Sequence, residues 1–333
     1  MSSLEKSRRV GCANGWTRAR NATNCEFTKN GKENLTIEFE NSNNQSSTVS
    51  ISVTTEVVTQ PPRADPCTIY TYFETIPNQT FKLQEAAVDT LKLWEKVWSI
   101  QGWHPVILTV QDAKRHQNYS YFRDRFSSFP TINAKEYELA CFMRHVAMAT
   151  VGGGFLSDYD VLPLYIPRCV KPLSSGKYTV IDRHIPSLVS ASGQEYTRIA
   201  GLMAEFKWKD HPNLFNQSGR QHVSDMLVMK KLTEDKMAMS YSLVLDAKYI
   251  VLGDLSCNEL VKDGTVSGGL PSRPWAVHFS HQTLSKVRKD YQFPGWLRSK
   301  LNQNVEEKRA LFMSEVYNVY CWNCLSKYGI NCA

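Results

Sequence analysis

Asp158 and Asp160 stand one residue apart at the end of a short apolar run, Phe155-Leu156, preceded by Gly152-Gly153-Gly154. Carboxylates at that spacing on a strand end can lean on one hard divalent cation. Mn2+ or Mg2+ takes such oxygens and leaves room for phosphate oxygens of a ligand. The competing reading is a turn in which both aspartates accept backbone amides. Glycines ahead of the pair permit a sharp turn and close backbone approach. His278, in Trp275-Ala276-Val277-His278-Phe279, could complete the cation's shell, with His281 a nearby competitor. The alternative is an ordinary core histidine; as a ligand it needs a fixed partner on its other ring nitrogen. Asp225, in His222-Val223-Ser224-Asp225, is either a further carboxylate of the ligand site or a helix-start cap. No Walker A loop, Gly-x-Gly-x-x-Gly or His-Glu-x-x-His pattern competes with this reading.

Positioning such a cluster needs a sheet. Thr68 to Phe73 is a β-rich run ending in Tyr72-Phe73, and Leu83 to Ile100 has helical spacing with Ala87, Leu91, Leu93, Trp94 and Trp98 on a broad face. Pro105 to Val110 reads as a second, buried strand. Strand, helix and strand together form a βαβ unit, which implies a parallel sheet. Ligands collect at the carboxyl ends of such strands, here Phe73-Glu74-Thr75 and Gln111-Asp112. Residues 114 to 132 read as a loop with a short helix. Asn133 is expected to cap the next helix with Glu136 as its box partner. Along that helix Leu139, Phe142, Val146 and Ala149 make the packed stripe, leaving Arg144 off it near the carboxyl end. The glycine–aspartate stretch follows as a third parallel strand. Further on, Lys177 to Ile181, Leu188 to Ser190, Tyr249 to Leu252 and Trp275 to Phe279 read as strands. Glu195 to Phe206 and Gln221 to Leu232 read as helices. An aromatic tail that includes Tyr291, Trp296, Tyr317 and Trp322 is expected to pack back on the domain.

At 333 residues, with 42% hydrophobic and 21% charged side chains, the chain can bury a large α/β core. Residues 1–64 are rich in Asn, Ser, Thr and Glu and read as a largely disordered stem with a strand or two over Ser46 to Thr59; residues 65–333 read as the folded α/β domain. A net charge of +7 without a lysine–arginine block argues against a nucleic-acid partner. Of nine cysteines, Cys141 and Cys169 read as buried small hydrophobes, and Cys321-Trp322-Asn323-Cys324 with Cys332 as a disulfide-linked or free-thiol end. Sequons at Asn21, Asn34, Asn44, Asn78, Asn118 and Asn216 point to a Golgi or other secretory-pathway lumen. The polar start lacks a signal-peptide core, so a membrane anchor is expected only if this sequence begins downstream of one.

Arg144 and the run Gly153-Gly154-Phe155-Leu156-Ser157-Asp158-Tyr159-Asp160-Val161 together resemble the DXD sugar-binding region of glycosyltransferases related to yeast α-1,6-mannosyltransferases and α-1,4-galactosyltransferases. The resemblance is specific over residues 138–164 and fainter from Cys67 to Asp112 and near His278. It implies a GT-A-like, Rossmann-type mixed sheet flanked by helices, a UDP- or GDP-hexose donor and a divalent metal. It further implies a glycan, glycoprotein or glycolipid acceptor and retention of anomeric configuration. Asp158, Asp160 and His278 would hold the metal; Arg144, Gly153, Gly154, Tyr72 and Asp158 would bind the donor; Asp225 would serve the acceptor. Leu156-Ser157 and Tyr159 depart from that family's pattern and are where donor preference, or a loss of activity, is expected to reside. The alternatives are a catalytically silent sugar-nucleotide or glycan binder, and a metal-dependent hydrolase.

Overall fold

The computed structural model describes residues 33–40, 46–53, 67–77, 80–251, 265–266, 270–271, 274–281, 283–284 and 307–320. The chain divides into two units, Met1–Thr59 and Gln60–Ala333. In the first, β1 (Glu33–Glu40) pairs antiparallel with β2 (Ser46–Val53). The register sets Leu35 opposite Ile51 and Ile37 opposite Val49, and β1 is a strand the composition of this segment concealed. The remainder of the expected stem lies outside the described residues.

The second unit is built on β3 (Thr68–Tyr72), α1 (Phe81–Ile100) and β4 (His104–Leu108), the expected βαβ unit with both strands parallel. β4 is the exposed edge of the sheet rather than a buried strand, with Val106 and Ile107 reaching solvent. Beyond it come α2 (Val110–Ala113), α3 (Tyr119–Ser127) and α4 (Lys135–Thr150). Asn133 does not cap α4. Its amide donates to Glu138 at 2.5 Å and the helix starts from Ala134 without a side-chain cap.

β5 (Gly153–Ser157) lies parallel to β3 and antiparallel to β8 (Ile185–Ser192). β7 (Thr179–Asp182) pairs with β8, and β11 (Met239–Ser240) closes the far edge, giving the order β11-β7-β8-β5-β3-β4. A three-stranded sheet joins β6 (Val161–Pro163), β12 (Val244–Asp246) and β15 (Ala276–His278). Two-residue strands make two small ladders, β9 (Asn216–Gln217) with β10 (Arg220–Gln221) and β13 (Thr265–Val266) with β14 (Leu270–Pro271). Further α-helices among the described residues are α5 (Gly193–Ala204), α6 (Pro212–Phe215), α7 (Asp225–Glu234), α8 (Ala247–Val251) and α9 (Arg309–Tyr320). α8 occupies most of the expected Tyr249 to Leu252 strand. The Asp246 carboxylate accepts the Lys248 amide at 3.0 Å and starts a helical turn there. Of the expected tail, α9 contains Tyr317, while Tyr291, Trp296, Trp322 and the Cys321-Cys324-Cys332 cluster lie outside the described residues.

Alternation along the strands separates two cores. Tyr70, Leu156, Val189 and Val180 face α4, α5 and α7, whereas Ile69, Phe155, Leu188 and Ile181 face α1. This six-stranded mixed sheet with helices on both faces is the α/β architecture expected of a GT-A-like domain. A third cluster gathers Val97 of α1, Leu162, Val277 and the α9 residues Phe312, Met313 and Tyr317. Cys169 is half-buried and disulfide-bonded to Cys67, not a buried free thiol, while Cys141 is free. Strand-starting Cys67 and a loop residue 102 positions later meet only because the sheet brings them together.

Gly153 has φ +89°, and a Cβ there would sit 2.4 Å from the Ala191 carbonyl oxygen and 2.5 Å from the Gly193 nitrogen. Close approach by these glycines is therefore made to the β8–α5 backbone. Gly153→Ala should destabilise the domain by about 3 kcal/mol through strain and displacement of α5. Urea unfolding followed by tryptophan fluorescence checks this; an unchanged midpoint would remove the close-packing role.

Candidate metal centre

β5 ends at Ser157, and the chain then makes a tight reversal into β6. The Asp158 amide donates to the Ser187 carbonyl at 2.7 Å, and the Val161 amide donates back to the Asp158 carbonyl at 3.0 Å. Asp158 and Asp160 share one side of that turn. Tyr159, between them, packs on the α1-side core and meets Phe73 edge-to-face at 5.6 Å. Two tryptophans one helical turn apart on α1 bracket the reversal. Trp94 Nε1 donates to Ser157 Oγ at 3.3 Å, and Trp98 Nε1 donates to the Val161 carbonyl at 3.1 Å. The spacing of Trp94 and Trp98 marks them as core in the sequence; their second role as donors on either side of the carboxylate pair carries no sequence signal.

β15 supplies the third group. It runs antiparallel to β6, with His278 opposite Val161, and the Phe279 amide donates to the Asp160 carbonyl at 2.9 Å. Asp158, Asp160 and His278 each offer one ligand atom, and these atoms lie within 4.8 Å of one another. His278 Nδ1 lies 3.1 Å from Asp182 Oδ2, which also accepts the Ser187 hydroxyl at 2.7 Å. Asp182 thus holds the ring so that Nε2 faces Asp160 Oδ1 at 3.7 Å, beyond hydrogen-bonding distance. That Oδ1 is buried and has no hydrogen-bond partner among the described residues. Two carboxylates and an imidazole around an orphaned buried oxygen fit a hard or borderline divalent cation.

Charge in the cluster points the same way. Asp158, Asp160, Asp182 and Asp225 are opposed by two guanidiniums: Arg144 donates to Asp158 and Asp225, and Arg309 to Asp160. Two negative charges are left over when His278 is neutral. Protons absorb part of the surplus. Burial opposes a charged His278, yet Asp160 and Asp182 carry it up to about 9. Burial raises Asp158 to about 7 against the pull of Arg144, with Asp160 adding to the rise. Burial also works against an ionised Asp160, but Arg309 and His278 hold it below the usual carboxylate range. A divalent cation matches the surplus charge.

The other expected site residues play parts different from those expected. Arg144 is buried with both terminal nitrogens committed to carboxylates, so it fixes Asp158 and leaves no face for a donor. Asp225 is buried beneath it, with His145 Nε2 at 3.7 Å, and the helix cap is Ser224, whose hydroxyl accepts the Leu227 amide at 3.3 Å. Leu156 and Ser157 are fully buried and cannot touch a ligand. Gly153 and Gly154 serve the β8–α5 junction, where the Tyr196 hydroxyl donates to the Gly154 carbonyl at 3.3 Å. Tyr72 lies among Glu74, Tyr119 and Asp112, and burial and Glu74 push its phenol up. The Glu74 and Asp112 carboxylates are spent on the Val110 amide and on capping α2. His281 stands outside the trio, 3.3 Å from Arg309, whose charge together with burial lowers it to about 4. The residues that sequence spacing missed are Asp182 and Arg309.

Residues 37–184 match the model of a family described as a domain of unknown function (DUF8765). No curated protein matches the chain. Among solved structures, a glycosyltransferase involved in the glycosylation of the major capsid of PBCV-1 is similar at 13% identity and a TM-score of 0.29, over 55% of this chain and 86% of that one. Likeness at that score establishes neither fold nor activity here.

Asp182→Asn removes the charge that supports the imidazolium. The His278 pKa in the metal-free protein should then fall below about 9, read by NMR titration of the ring. Mn2+ affinity should weaken by about 10- to 100-fold. An unchanged affinity would show that the ring's orientation does not depend on Asp182.

Proposed function

We propose that residues 65–333 form a GT-A-like glycosyltransferase that transfers a hexose from a nucleoside-diphosphate sugar to a hydroxyl of a glycan, glycoprotein or glycolipid. The observation that carries this reading is the Asp158–Asp160–His278 trio, with its orphaned Asp160 oxygen, at the carboxyl end of central strand β5. Asp158, Asp160 and His278 would hold Mn2+ or Mg2+. When bound, such an ion neutralises charge that develops on a diphosphate leaving group, the term that usually dominates catalysis of this kind.

The chain's own residues do the positioning. Asp182 keeps the Nε2 edge of His278 turned to Asp160, and Arg144 pins Asp158 to Asp225. Trp94 and Trp98 hold the turn that presents both carboxylates. Buried Asp160, Asp182 and Asp225 are each tied to an arginine or to His278, so none is a free general base. Retention of configuration suits that arrangement, because the departing phosphate can accept the acceptor's proton. With donor preference removed from Leu156-Ser157, Tyr159 remains the partly exposed departure from the family pattern beside the cluster. The disulfide supports placement in an oxidising lumen such as the Golgi, as do the exposed sequons at Asn118 and Asn216. No helix among the described residues is long and apolar enough to cross a membrane.

Purified protein with Mn2+ and a panel of UDP- and GDP-hexoses should release nucleoside diphosphate, and chelation should stop it. Asp160→Ala should lower the rate by at least about 1,000-fold without loss of fold by circular dichroism. Binding of a sugar nucleotide with no turnover of any donor would leave the silent binder instead. Phosphate release from compounds lacking a nucleotide would favour the hydrolase.

A further inference from the structure

Arg309 opens α9 and enters the site from the far end of the chain. Nη2 donates both to Asp160 Oδ2 and, at 2.7 Å, to the Phe279 carbonyl. Nη1 lies 3.3 Å from His281 Nε2, and the buried Nε has no hydrogen-bond partner among the described residues. The side chain is 7% exposed, so water does little to screen its charge. Asp160 thus has two faces, Oδ2 held by a guanidinium and Oδ1 turned to His278 Nε2 without a hydrogen bond.

A cation bound by Asp158, Asp160 and His278 would share Asp160 with Arg309, placing two like charges on one buried carboxylate. The carboxylate cluster as a whole attracts the cation, but Arg309 is the positive charge on the shared carboxylate, and water screens it little. A guanidinium released from Asp160 still needs a counter-charge. Among the described residues its other partners are the Phe279 carbonyl and His281, both neutral, so a ligand anion is the counter-charge that suits it. Behind the first turn, α9 is anchored independently: Phe312, Met313, Val316 and Tyr317 pack with Leu162 and Val277, and the Tyr317 hydroxyl donates to the Pro163 carbonyl at 2.9 Å. Such an anchor lets the first turn shift without unseating the helix.

We infer that Arg309 is an exchangeable counter-ion: it neutralises Asp160 in the cation-free protein and passes to an anionic ligand, of the diphosphate class, when a divalent cation takes Asp160. The inference rests on the metal reading above. It makes cation and anion binding mutually dependent through one side chain, and couples both to the start of the C-terminal helix.

The test is Mn2+ binding, read from the paramagnetic resonance of the free ion. Wild type, Arg309→Gln and Arg309→Lys are compared with and without UDP, after subtracting Mn2+–UDP association measured without protein. Arg309→Gln should bind Mn2+ alone about tenfold or more tightly than wild type, because a competing charge is gone. UDP should tighten Mn2+ binding markedly in wild type, less in Arg309→Gln, with Arg309→Lys between them. In wild type, hydrogen exchange at residues 309–313 should rise with Mn2+ alone and fall again when UDP is added, a readout needing no variant. Weaker Mn2+ binding by Arg309→Gln, or equal UDP enhancement in all three proteins, would overturn the exchange and make Arg309 a fixed support for Asp160. Absence of Mn2+ binding in wild type and both variants would overturn the metal reading and this inference together. Binding that is lost in Asp160→Ala but not tightened in Arg309→Gln sinks only the latter.

Discussion

Four buried or half-buried carboxylates gathered where β5, β6, β7, β15 and α7 meet are the constraint on which this structure depends. Burying an unpaired charge costs several kcal/mol even after relaxation. Arg144 and Arg309 come from helices on different parts of the chain to meet it, one from the second half of α4 and one from the start of α9. The ion pairs contribute little net stability, because desolvation offsets most of their attraction. They do specify which helices stand beside the turn, since a displaced arginine would leave a bare carboxylate behind. Charge left over after this pairing makes the same locus a place for a cation.

Apolar packing gives that electrostatic arrangement a rigid frame. Trp98 and Trp103 meet edge-to-face at 5.6 Å, and Trp103 meets Phe155 of β5 at the same distance, so α1 is locked to the strand bearing the aspartates. Such aromatic contacts add about 0.5–1.5 kcal/mol each beyond their buried area. The indole nitrogens of Trp94 and Trp98 then hold the chain before and after the turn. On the opposite face Phe126 and Phe142 stack at 4.7 Å and seat α4, which sets where Arg144 emerges. A functional group held by a helix and a strand is more accurately placed than one on a free loop. Here the aspartates sit in a loop that has been given the stiffness of its neighbours.

Some elements were legible because they rest on short-range rules. The βαβ unit from Thr68 to Leu108, the helix carrying Phe142 and Val146, and the parallel strand through Phe155 follow from hydrophobic period alone. Misreadings occur where two local signals compete or where the sheet edge decides. Val106 and Ile107 look like core, but among the described residues no strand lies beyond β4, and they face solvent. Tyr249 to Leu252 looks like a strand, but the Asp246 carboxylate offers a helix start just ahead of it. Cys169 reads as a small hydrophobe because nothing nearby in the chain announces Cys67.

For the site, the sequence by itself determined the trio's members: Asp158 and Asp160 through their spacing after a glycine-led strand, and His278 through its place in a late apolar run. It could not determine their partners. Arg144 and Asp225 stand out by residue type and position, yet their charges are turned toward each other and toward Asp158 inside the protein. Asp182 and Arg309 carry no motif; Asp182 matters because β7 sets it beside His278, and Arg309 because α9 returns to β6. Ligand identity depends on what a few side chains are, which a linear pattern records. Charge balance depends on which groups share a low-dielectric space, and only the tertiary structure, by excluding water from around Asp160, decided that.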